Sequence, residues 1–202
     1  MKVKRTLFRF VCGAVLLLSA CGETKQETAA EQNPPDAVAE PTAVPSALTQ
    51  YGNRLRKIVK SDQGILRGIR FGDDVTRVKA VEAIEPLEDS ANYLGYRVDL
   101  GNYEDLDLRY QLNDNRQVWG FTMDIYLDEQ AAVDSLMADF KGYFTQRFGP
   151  SSFENQHSMA AWNVADSLKV VVKDVGVKQA PGLQVQIMNL KEAKAPRAPV
   201  EQ

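Results

Sequence analysis

The chain has 202 residues, with 24 basic and 27 acidic residues, and 44% of its residues are hydrophobic. These values are typical of one folded domain with flanking tails. The charged residues in positions 1–20 are all basic (Lys2, Lys4, Arg5 and Arg9), so residues 21–202 keep 20 of the 24 basic residues against 27 acidic ones, a net charge of −7. Such an acidic balance argues against nucleic acid as a partner, because binding phosphates requires a basic surface.

Residues 1–20 have the three parts of a secretory signal peptide. A basic start is followed by nine apolar residues at 10–18, too few to span a bilayer, and then by two small residues. The sequence Leu18-Ser19-Ala20-Cys21 resembles the lipobox of bacterial lipoproteins. That resemblance implies cleavage before Cys21 and its modification with lipid such as palmitate. The alternatives are a secretory signal cut elsewhere or a short membrane anchor.

Lipid on Cys21 would anchor the chain to a membrane of the cell envelope. Gly22 stands where lipoproteins retained at the inner membrane carry Asp, so in a host with two membranes we expect the outer membrane, with the domain in the periplasm. Residues 21–48 contain four prolines and predict a disordered tether. We expect a single domain over 49–191 and a disordered tail over 192–202.

The first half of the domain predicts two helices and then three strands. Apolar residues at 48, 51, 55, 58 and 59 favour a helix over 48–60, and 64–72 is interpreted as extended. Asp73 or Asp74 is expected to cap a second helix that ends before Pro86. Alternating apolar and polar residues predict strands over 93–100, 105–112 and 117–127.

The second half predicts one long helix and three further strands. An apolar stripe runs over 128–148, where Asp128 is the expected cap and Gly149 and Pro150 end the helix. Strands are predicted over 159–164, 168–175 and 183–190. The expected fold class is α+β, made of two successive helix-plus-three-strand units whose antiparallel sheet carries helices packed on one face.

One short motif resembles known envelope proteins. Residues 68–75 read Gly-Ile-Arg-Phe-Gly-Asp-Asp-Val, a glycine-bounded entry into a helix. This is similar to outer-membrane-assembly lipoproteins of the BamE type and to the β-lactamase-inhibitor-protein type. The resemblance implies an α+β domain with tandem helix-plus-sheet repeats.

The sequence offers few groups for catalysis. Cys12 and Cys21 are the two cysteines, and His157, the one histidine, lies in a polar segment interpreted as a loop. No nucleophile elbow or phosphate-binding glycine loop is present. We therefore expect no enzyme activity, no cofactor and no metal; an enzyme that uses carboxylates alone ranks third among the hypotheses.

Two features predict contact with a partner. A basic segment could contact lipid headgroups or an acidic partner, or could form a solvated helix face. It contains Arg54, Arg56, Lys57 and Lys60, which are the predicted contact residues, and then Arg67 and Arg70. Tyr93, Tyr103 and Tyr126 could lie on the sheet face opposite the core and anchor a partner, or could pack in the core or cap a sheet edge. The leading hypothesis is a non-enzymatic binding or scaffold domain that contacts another envelope protein. The alternative is a small-ligand or lipid carrier with a pocket between the 128–148 helix and the sheet.

Overall fold

The computed structural model describes residues 46–155 and 158–193. All of them lie in one compact unit, Ala43–Gln202. The predicted signal peptide, the lipidation site Cys21, most of the predicted tether, His157 and residues 194–202 of the predicted tail lie outside the described residues.

The helices include those that the apolar stripes predict, with different ends, and one further short helix at the C-terminal end of the domain that was not predicted. They are a 3-10 helix at Ala47–Gln50, α1 at Asn53–Val59, α2 at Val75–Glu82, α3 at Gln130–Phe148 and α4 at Leu190–Ala193. The predicted 48–60 helix is therefore two segments, separated at Gly52, whose N–H donates to the Asp139 carboxylate at 3.2 Å. Asp74 caps α2 by accepting from the Arg77 N–H at 2.8 Å, as predicted. Glu129, and not Asp128, occupies the N-cap position of α3.

The strands of the described residues form one antiparallel sheet. They are β1 at Glu88–Asp89, β2 at Tyr93–Gly101, β3 at Glu104–Leu112, β4 at Val118–Tyr126, β5 at Phe153–Asn155, β6 at Met159–Val164, β7 at Leu168–Asp174 and β8 at Gly182–Asn189. Their order in the sheet is β1-β2-β3-β4-β8-β7-β6-β5. The edge strands β1 and β5 were not predicted, because two or three residues are too few to show an alternating pattern.

The predicted fold class, two successive helix-plus-three-strand units, is wrong. β4 from the first half pairs with β8 from the second half over seven residue pairs, from Gly120↔Met188 to Tyr126↔Gly182. A strand left at an edge has a row of unpaired backbone N–H and C=O groups, and this pairing satisfies them. The result is a mostly β structure with a single eight-stranded sheet.

The two faces of this sheet differ in polarity. On β3, Leu106, Leu108 and Tyr110 are fully buried, and α1 and α3 pack over this face. The opposite face is a polar ladder, in which Arg97 pairs with Asp107 at 2.7 Å and Arg109 pairs with Asp124 at 3.1 Å. These exposed pairs contribute little stability, so the fold depends on the apolar face.

A buried ion pair connects α1 and α2 to the sheet. The Arg67 guanidinium donates to both carboxylate oxygens of Glu82 at 2.7 Å, and both residues are 4% exposed. The Tyr110 hydroxyl of β3 donates to the same carboxylate. Arg67 also donates to the carbonyls of Lys57 and Ile58 at 2.8 and 2.7 Å, which lie in the last turn of α1. One side chain thus joins α1, α2 and β3.

A tight turn presents Arg67 to these partners. The segment predicted to be extended folds back on itself, so that Leu66 and Ile69 form an isolated bridge. Arg67 and Gly68 between them have φ values of 55° and 83°, the left-handed geometry of a type I′ turn. Glycine adopts this geometry freely, whereas arginine does so at a cost of about 1–2 kcal/mol.

We expect Glu82→Gln to lower the free energy of unfolding by about 3 kcal/mol or more, because it leaves the Arg67 charge buried without a counter-charge. Burial raises the pKa of Glu82, but the Arg67 hydrogen bonds and charge outweigh it, and the pKa is held below its ordinary value. This stabilisation is therefore complete above the unfolded-state pKa of about 4.3 and is lost as the pH falls through the lower folded-state value.

Urea unfolding between pH 7 and pH 3 measures this effect. The difference in unfolding free energy between the parent and Glu82→Gln should shrink as the pH falls. The exposed control Glu85→Gln should change the unfolding free energy by less than about 0.5 kcal/mol. A Glu82→Gln variant as stable as the control would contradict the assignment.

Candidate interaction surfaces

Three of the four predicted basic site residues form internal contacts. Arg54 makes a bidentate ion pair with Glu104 at 2.6 and 2.8 Å, and these hydrogen bonds raise the pKa of Arg54 despite its burial. The Lys57 ammonium donates to the Leu100 carbonyl at 2.9 Å. These contacts hold α1 against β2 and the turn that follows it.

The other two predicted contact residues differ from each other. Lys60 donates to the Val81 carbonyl at 2.6 Å and lies 3.6 Å from the Glu82 carboxylate. Arg56 is exposed and has no side-chain hydrogen bond or ion pair with any residue that the structure describes. The basic segment is therefore mainly an intramolecular clamp, and its contact with a partner or with headgroups stays a prediction.

Glu104, the buried partner of Arg54, was missed by the sequence analysis. Its side chain is 1% exposed. The strand pattern contains the signal, because Glu104 lies two residues before Leu106 and therefore on the same inward face of β3. A carboxylate on a buried apolar face needs a cationic partner, so this position predicts an ion pair with a basic residue such as Arg54.

Four of the seven large apolar side chains that are exposed among the described residues lie at one end of the sheet, and the other three are Ile84, Leu87 and Phe153. Tyr103 is fully exposed at the tip of the β2–β3 hairpin, and Tyr126, the last residue of β4, is 49% exposed. Register places Tyr126 beside Asp105 at the start of β3 and beside Gly182 at the start of β8. Val175 and Val177, 45% and 64% exposed, are at the same end because they follow β7. We call Tyr103, Tyr126, Val175 and Val177 the tyrosine end.

The structure separates the third predicted tyrosine from the other two. Tyr93 begins β2 and pairs with Gln111 near the end of β3, so it lies at the opposite end of the sheet. The two valines were not singled out from the sequence, since a loop valine has no pattern that marks it as exposed.

Carboxylates surround the tyrosine end. They are Asp99, Asp105, Asp128, Glu129 and Asp174, which lie in or next to the strand ends and loops that carry the exposed apolar residues. None of the five is within 4 Å of a lysine or arginine nitrogen in the described part of the chain. Lys178 follows Val177 in the same loop and Lys57 donates to the Leu100 carbonyl, so carboxylates outnumber these basic side chains at this end.

Aromatic rings fill the contact between α3 and the sheet. Phe140 and Phe144 stack with centroids 5.7 Å apart, and Phe144 lies 5.4 Å from Trp162 of β6. All three side chains are at most 1% exposed. A cavity of about 620 Å³ lies at the C-terminal end of α3. The alternative hypothesis, a ligand pocket between this helix and the sheet, stays a prediction.

No protein-family model, curated protein or solved structure matches the chain. Over the described ranges, no helix is both long enough and apolar enough to cross a membrane. The resemblance to the two groups of envelope proteins therefore stays a prediction.

Arg54 and Arg56 allow a matched test of the clamp. We expect Arg54→Met to lower the free energy of unfolding by about 1–3 kcal/mol, because Glu104 then stays buried without its cation. Arg56→Met on the same helix should change it by less than about 0.5 kcal/mol. Chemical denaturation of both variants provides the measurement, and equal effects would show that the Arg54–Glu104 pair does not stabilise the fold.

Proposed function

We propose that this chain is a lipid-anchored, non-enzymatic binding protein of the cell envelope that contacts a protein partner through the tyrosine end. The anchor in this proposal is lipid on Cys21, as the lipobox-like sequence suggests. The observation that carries the binding role is that four of the seven exposed large apolar side chains of the described residues lie at one end of a sheet whose outer face is mostly polar.

The exposure of Tyr103 supports a binding role more strongly than its residue type alone. Asn102 and Tyr103 have φ values of 55° and 62°, so a left-handed turn holds the ring at the hairpin tip. Tyrosine has few rotatable bonds and a large surface, and it is enriched among residues that dominate binding energy. Solvent exposure of such a ring is unfavourable, and a partner surface would remove it from water.

The surrounding charge suggests the chemistry of the partner. Asp105 and Asp128 are two of the five carboxylates at this end that have no cationic partner among the described residues. A partner that carries lysine or arginine around an apolar site would complement them, whereas an anionic lipid surface would be repelled. We therefore expect a basic protein surface, and we expect salt to slow its association.

Site-specific photo-crosslinking in native membranes tests the proposal. A photoreactive phenylalanine analogue replaces Tyr103 in one protein, and in a matched control it replaces Asn115, exposed in the turn between β3 and β4 at the opposite end of the sheet. We expect a single protein adduct from position 103 and none from position 115. Adducts of equal yield from both positions, or from 115 alone, would contradict the proposed surface.

Binding of the purified crosslinked partner then measures the contribution of the site. Tyr103→Ser is expected to weaken binding by roughly 30-fold, the effect of losing an interface residue that contributes about 2 kcal/mol. Asp105→Lys with Asp128→Lys should slow association and reverse its dependence on salt. Unchanged affinity in both variants, with unfolding curves like those of the parent, would contradict the proposal.

A further inference from the structure

The cavity at the C-terminal end of α3 has a charged lining and shares no residue with the tyrosine end. Its volume of about 620 Å³ is within the range of about 300–1,000 Å³ that small-ligand sites occupy. The loop after α1 contributes Lys60 and Asp62, and α3 contributes Tyr143 and Arg147. Ser46, the first described residue, is also part of the wall.

Arg147 provides a positive charge without a counter-charge. Its guanidinium donates to the Tyr143 hydroxyl at 2.8 Å and to the Gly64 carbonyl, which are both neutral acceptors. It also lies 5.9 and 5.3 Å from the ring centroids of Tyr143 and Phe148. No carboxylate of a described residue lies within 4 Å of it, so its position is fixed while its charge is uncompensated.

Asp62 provides the opposite charge in the same cavity. One of its carboxylate oxygens accepts a hydrogen bond from the Ser46 hydroxyl. The other, Oδ1, is buried and has no hydrogen-bond partner among the described residues. A carboxylate usually accepts several hydrogen bonds or pairs with a cation, so Asp62 is incompletely satisfied.

The two charges line the same cavity without forming an ion pair. Burial raises the pKa of the Tyr143 hydroxyl, the Arg147 charge opposes this shift, and the Asp62 charge adds to it, so both charges act on the same hydroxyl. The third charged side chain, Lys60, already lies beside the Glu82 carboxylate. The cavity lining therefore contains a cation and an anion that are not paired with each other, and neither the Arg147 charge nor Asp62 Oδ1 is matched by a partner of opposite charge among the described residues.

From this geometry we infer that the cavity binds a small zwitterion, in which a primary ammonium group is joined to a phosphate or carboxylate group. The anionic group pairs with Arg147, whose planar guanidinium offers further N–H donors to two oxygens. The ammonium group donates to Asp62. This inference is independent of the tyrosine end and of the protein partner, and the ligand can be a free molecule or a lipid headgroup of the same chemistry.

Calorimetric titration of the full mature protein tests the inference with defined probes. Ethanolamine phosphate and glycylglycine carry a primary ammonium group, while choline phosphate has the same phosphate but no N–H donor. We expect at least one of the first two to bind, and choline phosphate to bind at least tenfold more weakly than ethanolamine phosphate where the latter binds. The inference would be overturned if neither ammonium probe and no phosphatidylethanolamine vesicle bound the protein. Measurable and equal affinities for the two phosphate probes would also overturn it.

Vesicles distinguish the two sources of the ligand. A protein that binds phosphatidylethanolamine vesicles more tightly than phosphatidylcholine vesicles, and loses this preference in Asp62→Asn, recognises the headgroup. Binding of the soluble probes with no difference between the two vesicles assigns the cavity to a free zwitterion. A vesicle preference that survives Asp62→Asn, with no soluble probe bound, places lipid recognition elsewhere and overturns the inference.

Substitutions assign the two charges separately. Asp62→Asn should weaken ethanolamine phosphate binding by roughly tenfold and abolish the preference over choline phosphate, because a charged hydrogen bond to the ammonium is lost. Arg147→Gln should weaken both phosphate probes, and Arg147→Lys, which keeps the charge, should restore part of the affinity. The exposed control Asp114→Asn should bind like the parent, and identical binding by Asp62→Asn and this control would refute the role of Asp62.

Discussion

The ion pair between Arg67 and Glu82 is the interaction on which the arrangement of the helices depends. The pair is buried and uses both carboxylate oxygens of Glu82. The position of the guanidinium is fixed because it also donates to two carbonyls of α1. A buried charge without its partner is strongly destabilising, so α1 and α2 must stay where Tyr110 of β3 can complete the network. The left-handed backbone at Arg67 is the conformational cost of this arrangement.

Satisfied and unsatisfied charges occupy different parts of the molecule. Most side chains of the predicted basic segment form contacts within the domain, most clearly the ion pair between Arg54 and Glu104. By contrast, Arg147 and Asp62 line a cavity at the C-terminal end of α3, and a carboxylate cluster surrounds exposed tyrosines near its N-terminal end. At about 1.5 Å per residue, the length of α3 separates these two sites by roughly 25 Å. A ligand and a protein partner could therefore be bound independently.

Local patterns explain why most strands were predictable and the sheet was not. Alternation along 105–112 reflects one inward and one outward face, and it located β3 to within a residue. The pairing of β4 with β8 joins residues more than 50 positions apart through backbone hydrogen bonds, which any residue type can make. The number of sheets and the edge strands β1 and β5 were therefore not encoded in any local pattern. The predicted pair of separate units failed for this reason.

The sequence by itself determined the helical stripes, the alternating strands, the cap at Asp74 and the acidic balance, because these depend on residue type and on spacing along the chain. Only the tertiary structure decided that Arg54 is an internal clamp, that Tyr93 is remote from Tyr103 and Tyr126, and that Asp62 and Arg147 line one cavity. A charge has the same appearance in the sequence whether its partner is water, a buried carboxylate or a ligand. The difference arises from desolvation and from distances between segments far apart in the chain, which exist only after folding.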